Sequence, residues 1–306
     1  LKITPESTIT GSFEYIDTNL LRTDGVSNLL PKLNIKSKYV KTSKAVLDDV
    51  HLILSPKNEY ILIDKFSFNN LHLQMNSSGK WYRGNNEKTE IIADVKSDNL
   101  GKALSGLDYP NVLKGGNLEA KLNAQWNGSI EDFTFASTQG ELQFTILNGQ
   151  INELDKKTQA IGQVLGLLSI SSIPKRLSLD FSDFFSKGLK FDNLKSDIAL
   201  ANGVADTKKM TILGSFGEMR LSGESNLVEE THDQKLIFIP DLSSTSLVTG
   251  AVLGGPVGAA ASIFYDRLLK EFGLDTNKLA GIEYSIKGPW KNPEIKVTQS
   301  FKPILN

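Results

Sequence analysis

Strict alternation of apolar and polar residues is the dominant pattern in this sequence. In residues 140–146 every second side chain is apolar, from Leu142 through Phe144 to Ile146. Because successive side chains of a β-strand point to opposite faces of the sheet, this alternation predicts strands with one buried face. The same pattern is found at residues 118–126, 177–181, 219–221 and 282–286. The chain is therefore predicted to be mainly β.

A glycine followed by alternating polar and apolar residues recurs along the chain at uneven spacing. The motif starts at Gly11, Gly116, Gly140 and Gly217. It predicts antiparallel strands that are entered through glycine turns, rather than a solenoid of fixed period. A closed β-sandwich and an open curved sheet would both carry this pattern, so both alternatives stay open at this point.

Helical patterns are few and localised. A short helix is predicted after Asp98, which is positioned as its cap. Its apolar side is formed by Leu100, Leu104 and Leu107. A second, amphipathic helix is predicted over residues 155–169, where apolar residues recur at helical spacing. Its apolar side is formed by Ile161, Val164, Leu165 and Leu168.

An uncharged stretch of 24 residues lies between Asp241 and Asp266. A bilayer is crossed by about 20 consecutive apolar residues, so this length alone would allow a membrane span. The stretch is rich in glycine and opens with Ser and Thr, however, which lowers its hydropathy. We therefore predict a glycine-rich loop followed by a helix that begins at Pro256 and stops at Gly273.

Charge and composition argue against several kinds of function. The 306-residue chain has 34 Lys and Arg residues against 35 Asp and Glu residues, so no excess of positive charge favours nucleic acid. It has no cysteine, which removes disulfides, thiolate metal sites and cysteine nucleophiles. Its three histidines are too widely separated in sequence to suggest a metal pair. We expect neither a metal nor a cofactor.

Catalytic motifs are equally scarce. The sequence contains no Gly-x-Ser-x-Gly elbow, and the glycines at 254–258 lack the Lys of a phosphate-binding loop. The best acidic cluster consists of Asp180, Asp183 and Asp192. Two of these carboxylates could hydrolyse a glycoside only if they were held about 5 to 10 Å apart. We expect a protein that is not an enzyme, with a carboxylate hydrolase as the catalytic alternative.

The apolar sides of the predicted strands need a cover, because each large side chain that is buried contributes about 1.5 to 3 kcal/mol. Amphipathic helices are scarce relative to strands. Either two sheets close on each other, or an open sheet keeps an apolar lining that another molecule fills. Acyl chains suit such a lining, because they need a continuous hydrophobic surface and no directional partners.

A series of short motifs extends from Lys96 to Pro293. The most specific run comprises residues 164–170, 174–181, 183–185 and 191–192. Other motifs lie at residues 98–104, 109–110, 115–118, 126–128, 133–135, 148–151, 202–205, 254–260 and 288–293. In their order and density these motifs resemble the carboxyl-terminal region of the YhdP family, which belongs to the AsmA-like superfamily of Gram-negative envelope proteins.

This resemblance implies an elongated, curved antiparallel sheet that forms an open, taco-like hydrophobic groove, with short amphipathic helices capping its carboxyl-terminal end. Residues 1–95 are expected to form a β-rich groove segment that is continuous with an AsmA-like region over residues 96–306. Because the chain begins at Leu1 without a leader, we expect a piece of a longer protein.

The resemblance also implies a function. The chain is expected to be a periplasmic segment of an inner-membrane-anchored protein whose anchor lies outside this chain. Such a protein would carry phospholipid between the inner and outer membranes and support the outer-membrane permeability barrier. The implied partners are phospholipid and the remaining amino-terminal part of the same protein, and we expect a monomer.

The alternating residues provide candidates for the lipid-lining positions, and the side of each strand that faces the groove is left open. These candidates are Leu118, Leu122, Phe133, Phe135, Leu142, Phe144, Ile146, Leu179, Phe181, Phe191, Met219 and Leu221. The helical segments have two possible roles, capping the last strand edge or touching the inner leaflet of the outer membrane. Their candidate residues are Ile161, Val164, Leu165, Leu168, Val252, Leu253, Ile263 and Phe264.

Overall fold

The computed structural model describes residues 7–18, 31–42, 45–84, 86–107, 112–152, 188–240, 281–290 and 292–301. These residues form one 14-stranded sheet in which the strand order follows the chain order. The prediction of a mainly β chain built on a single extended sheet is confirmed. The predicted strand at 177–181 and the predicted helices at 155–169 and 256–273 lie outside the described residues.

The secondary-structure elements follow one another with short connections in most of the described chain. The first seven strands are β1 (Thr8–Asp17), β2 (Lys32–Lys41), β3 (Val46–Pro56), β4 (Tyr60–Asn70), β5 (Leu73–Tyr82), β6 (Lys88–Ser97) and β7 (Leu113–Asn127). The other seven are β8 (Gln139–Ile151), β9 (Leu189–Ala201), β10 (Val204–Gly214), β11 (Gly217–Asn226), β12 (Thr231–Pro240), β13 (Gly281–Pro289) and β14 (Glu294–Phe301). Helix α1 (Leu100–Gly106) lies between β6 and β7, and a short 3-10 turn (Ile130–Asp132) lies between β7 and β8.

The chain divides into two compact units. The first unit contains β1 to β6, helix α1, β7 from Gly115, β8 up to Thr145 and the end of β9 from Ala199. The second unit contains the remainder of β7, β8 and β9 together with β10 to β14.

One strand pair differs from the predicted antiparallel sheet. β1 runs parallel to β2, with Ile9 opposite Leu33. A parallel pair needs a connection of about a dozen residues or more, because the chain has to return to the same end of the sheet. The 14 residues between Asp17 and Lys32 meet this requirement. The sheet is therefore mixed, although β2 to β7 and β10 to β14 pair in antiparallel fashion.

Helix α1 forms where the sequence predicts it, but its cap is Asn99 and not Asp98. The side-chain oxygen of Asn99 accepts a hydrogen bond from the backbone nitrogen of Lys102 at 3.1 Å, which satisfies an otherwise unpaired helical donor. Asp98 lies one residue too early for this bond. Its carboxylate instead contacts Nδ1 of His72 at 2.8 Å.

The sequence predicts a glycine turn before the strand at each of the four glycine motifs, and the structure has one at only some of them. Gly217 begins β11 directly after a turn, and Gly140 is the second residue of β8. Gly11 and Gly116 lie inside β1 and β7. The motif is therefore a feature of strands as well as of the turns that precede them.

Gly79 shows a different use of glycine, namely close approach of two backbones. It lies in β5 opposite Ile91 of β6. A Cβ at this position would lie 2.0 Å from the carbonyl oxygen of Glu90 and 3.0 Å from the Cα of Ile91. Only a residue without a side chain fits here unless β5 and β6 separate.

Replacing Gly79 by Ala should lower the free energy of unfolding by about 1 to 3 kcal/mol, because the added methyl group overlaps the β6 backbone. Chemical denaturation of the full chain measures this change. Gly106→Ala in α1 is the control, since a Cβ there would meet no heavy atom within 4 Å. Equal denaturation midpoints for Gly79→Ala and the parent would contradict the close approach of β5 and β6.

Candidate functional site

Apolar side chains of the first unit line up in rows that cross the strands. Residues directly opposite each other on neighbouring strands project to the same face of a sheet. One row from β2 to β7 consists of Leu33, Leu54, Ile63, Gly79, Ile91 and Ala124. The next row consists of Ile35, Leu52, Phe66, Ser77, Ala93 and Leu122. We call the surface that these two rows form, together with the row neighbours Ile61, Trp81 and Trp126, the apolar face.

The opposite face of the same strands is mostly polar and charged, with Ile53, Leu62 and Ile92 as apolar exceptions. A row on this face consists of Lys36, His51, Ser67, Asn76, Asp94 and Lys121. The ammonium group of Lys96 pairs with Glu119 at 3.3 Å across β6 and β7. Burial, and then the nearby cations Lys65 and Lys36, lower the pKa of His51. The first unit thus presents one apolar face and one face suited to water.

The apolar face is only partly covered. Its buried core cluster consists of Leu54, Ile61 and Ile63. Leu33, Leu52 and Phe66 pack against this cluster but remain half-buried. Towards the edge strand β1, Phe13 and Tyr15 are 47% and 52% exposed. Apolar surface of the first unit therefore stays accessible from outside the chain.

One end of the apolar face is crossed by residues 128–138, which connect β7 to β8 and which we call the strap. Ile130 of the strap packs against the core cluster. The ring of Phe133 contacts Trp126 edge-on, with 5.1 Å between ring centroids, and Phe135 lies 5.2 Å from Phe133. Phe133 and Phe135, which the sequence suggests as lining residues of strands, thus belong to a loop that lies on the sheet.

The structure places the other candidates of the first unit on strands. Leu118 and Leu122 lie in β7, opposite Ser97 and Ala93, and both are half-buried. The register therefore identifies their side of β7 as the one that contributes to the apolar face. Leu142 and Phe144 lie in β8, where Leu142 is half-buried and Phe144 is 8% exposed.

The candidates of the second unit have a different environment. Ile146, Phe191, Met219 and Leu221 are each at most 2% exposed. Met219 lies in a row between Ile212 and Phe238, both of which are also buried. These positions are those of a packed interior.

Two of the predicted lining residues, Leu179 and Phe181, lie outside the described residues. The same holds for Ile161, Val164, Leu165, Leu168, Val252, Leu253, Ile263 and Phe264.

A buried polar cluster in the second unit was not expected from the sequence. The Oγ of Ser225 lies 3.1 Å from Nδ1 of His232, and Nε2 of Gln234 donates to the same Oγ at 3.0 Å. The imidazole also lies against Trp290, with 5.8 Å between ring centroids. Burial lowers the pKa of His232 to about 4. The sequence did contain an indication of this burial, because alternation along β12 puts His232 and Gln234 on the same side of the strand as the buried Leu236.

The described part of the chain offers little for catalysis. No group of three or more His, Asp or Glu side chains in it is arranged to hold a metal ion. Asp192 is exposed on β9, while Asp180 and Asp183 lie outside the described residues. No helix among the described residues is long and apolar enough to span a membrane.

These features define a β-sheet protein with a partly accessible apolar face and a charged opposite face. The chain belongs to the YhdP family, because the profile of that family, described as YhdP protein, matches residues 3–295. This confirms the resemblance inferred from the motifs.

A curated relative is the protein named "Intermembrane phospholipid transporter YhdP" of Escherichia coli (strain K12), which is 24% identical over 223 residues. The match covers 72% of this chain and 17% of that relative, so the chain spans a small part of the relative's length. No solved structure matches the chain.

The stability of the chain should depend on the protonation of His232. The unfolded chain takes up a proton on His232 near its ordinary pKa of 6.5, whereas the folded chain does so only near 4. Falling pH therefore favours the unfolded state, and between pH 7 and pH 4.5 this residue should cost about 2 to 3 kcal/mol of folding free energy.

Urea denaturation of the parent and of His232→Gln at both pH values measures this contribution. Between pH 7 and pH 4.5 the variant should lose about 2 to 3 kcal/mol less folding free energy than the parent. The carboxylates titrate in both proteins, so this difference reports His232 alone. An equal loss in both would show that His232 is not buried in its neutral form.

Proposed function

We propose that this chain is a periplasmic segment of an intermembrane lipid bridge, and that phospholipid acyl chains lie on the apolar face of its first unit. Membership of the YhdP family and the name of the Escherichia coli relative support lipid transport. The observation that carries the proposal is the alignment of apolar residues in rows across β2 to β7. Part of each row stays accessible, namely the half-buried residues Leu33, Ile35, Leu52, Phe66 and Leu122.

The mechanism follows from the two faces of the sheet. Moving an acyl chain through water exposes each CH₂ group at a cost of about 0.8 kcal/mol, and a continuous apolar surface removes most of this cost. Rows that cross several strands allow a chain to slide without breaking directional contacts. The charged opposite face keeps the segment hydrated. This transport needs neither a cofactor nor a catalytic group.

The second unit has a structural role in this proposal. Ile146, Phe191, Met219 and Leu221 are buried almost completely, so an acyl chain could reach them only if the unit opened. Their burial favours the alternative that a closed β core has a structural or partner-binding role in the envelope. We assign that role to the second unit and lipid contact to the first unit.

The wider assembly is also part of the proposal. The remaining amino-terminal part of the same protein would provide the anchor in the inner membrane. The uncharged stretch at 242–265 would cap the groove or contact the inner leaflet of the outer membrane. The whole protein would in this way support the outer-membrane permeability barrier.

Photo-crosslinking amino acids at Phe66 and Leu122 should label co-purifying phospholipid, because both residues lie half-buried on the apolar face. Ser67 and Lys121 are the matched controls, since each is the sequence neighbour of a test residue but projects to the polar face. Mass spectrometry of the extracted chain identifies the adducts. Equal labelling of test and control positions, or a chain that carries no phospholipid, would refute lipid contact at this face.

Membrane contact by the stretch at 242–265 is tested by flotation with phospholipid vesicles. Ile263→Asp should abolish flotation, because a charge opposes insertion of an interfacial helix. Leu71→Asp should leave it unchanged, although Leu71 is 85% exposed at the turn between β4 and β5. If the parent chain does not float, the stretch has no role in membrane contact.

A further inference from the structure

The strap reaches back across several strands of the first unit. It leaves the sheet after Asn127 of β7, yet Ile130 packs on the core cluster in β3 and β4. Neighbouring strands lie about 4.8 Å apart, so β7 and β4 are separated by about 14 Å along the sheet. The strap therefore passes over β6 and β5 on the apolar face.

Ile130 occupies surface that a bound acyl chain would need. Its side chain is a branched alkyl group, and the core cluster against which it packs, Leu54, Ile61 and Ile63, belongs to the apolar face. An acyl chain and Ile130 cannot contact the same atoms at the same time. Phe133, packed on Trp126, covers the β7 side of the same end. The strap and a lipid tail therefore compete for this end of the apolar face.

The strap has its own internal hydrogen bonds. The Oδ2 atom of Asp132 accepts from the backbone nitrogen of Ser129 at 2.7 Å and from its hydroxyl at 2.8 Å. Further along, the hydroxyl of Thr138 donates to the carbonyl oxygen of Thr134 at 2.6 Å. These three bonds lie within the strap, whereas Nε1 of Trp126 in β7 donates to the carbonyl oxygen of Ser129 at 2.6 Å and holds the first residues of the strap to the sheet. The packing of the strap on β3 and β4, in contrast, is an apolar contact that a lipid tail can replace.

Gly128 sets the direction in which the strap leaves β7. Its φ angle is +101°, a value that glycine adopts without strain and other residues adopt rarely. The backbone nitrogen of Gly128 donates to the carbonyl oxygen of Glu87 at 2.9 Å, and its carbonyl oxygen accepts from the hydroxyl of Thr89 at 2.7 Å. The strap is thus tethered at residues 128 and 129, and the part that could leave the sheet begins at Ile130.

We propose that the strap is a displaceable plug, in which Ile130 covers the core cluster of the lipid-free chain and gives way when a single acyl chain enters beneath it. The proposal rests on the lipid-carrying function proposed above. It adds a gate to that function, with an alkyl chain as the ligand that opens it.

Two engineered disulfides test the plug, and the absence of native cysteine makes them specific. One pairs Ile130→Cys with Leu54→Cys, and the other pairs Ile130→Cys with Ile61→Cys. The probe is phosphatidylethanolamine with a photoactivatable diazirine in one acyl chain, and mass spectrometry measures labelling at the core-cluster residue Ile63 and at Trp81, which packs against that cluster. Oxidation should abolish labelling at these two residues, and reduction of the same sample should restore it.

The control pair is Ser67→Cys with Asn76→Cys, two opposite residues on the polar face of β4 and β5. Its disulfide should leave labelling unchanged. A second variant, Ile130→Ser, should increase labelling at limiting lipid by about tenfold, because it removes the apolar contact that holds the strap down.

The possible failures are distinguishable. Equal labelling of the oxidised and reduced Ile130 pairs would overturn the plug and leave lipid binding intact. Equal labelling of Ile130→Ser and the parent at limiting lipid would likewise overturn the plug, whether or not the engineered cysteines pair. A parent chain that takes no label at all would refute the proposed function, and the plug with it.

Discussion

The central constraint on this protein is an apolar sheet face that its own chain covers only in part. In the first unit the strand register aligns apolar side chains in rows, and residues such as Leu52 and Phe66 remain half-buried. Exposed apolar surface is costly in water, so a stable chain needs either internal cover or a ligand of matching chemistry. Both solutions are relevant here, because the strap covers one end of the face and the remainder is the surface that we propose for a lipid tail.

Each unit meets this constraint in its own way. The second unit buries its apolar rows, including Met219 and Leu221, and also encloses the polar cluster around His232. Buried polar groups are usually hydrogen-bonded, and here the Oγ of Ser225 bonds both to Nδ1 of His232 and to Nε2 of Gln234. Such an interior favours a single packed arrangement. The half-buried members of the first unit's rows, such as Leu52 and Phe66, are the positions suited to exchange with a mobile apolar ligand.

Much of the fold could be predicted from local pattern. The alternation at 118–126 and 140–146 corresponds to β7 and β8, and the short helix after residue 98 is α1, although its cap is Asn99. The motifs between Lys96 and Pro293 identified the family. The candidate site was predicted less completely. Leu118 and Leu122 were named as lining residues without a side being assigned, and the register with β6 shows that they share a face with Ala93 and Ile91.

The sequence by itself determined where strands form and which of their residues alternate, because alternation is a relation between consecutive residues in one pleated strand. Only the tertiary structure decided which strand sides meet, because pairing joins residues far apart in the chain. The parallel pairing of β1 with β2, the packing of Ile130 on β3 and β4, and the burial of His232 all depend on such distant partners. Accessible apolar surface is what remains after all of these contacts are made, so local sequence pattern does not reveal it.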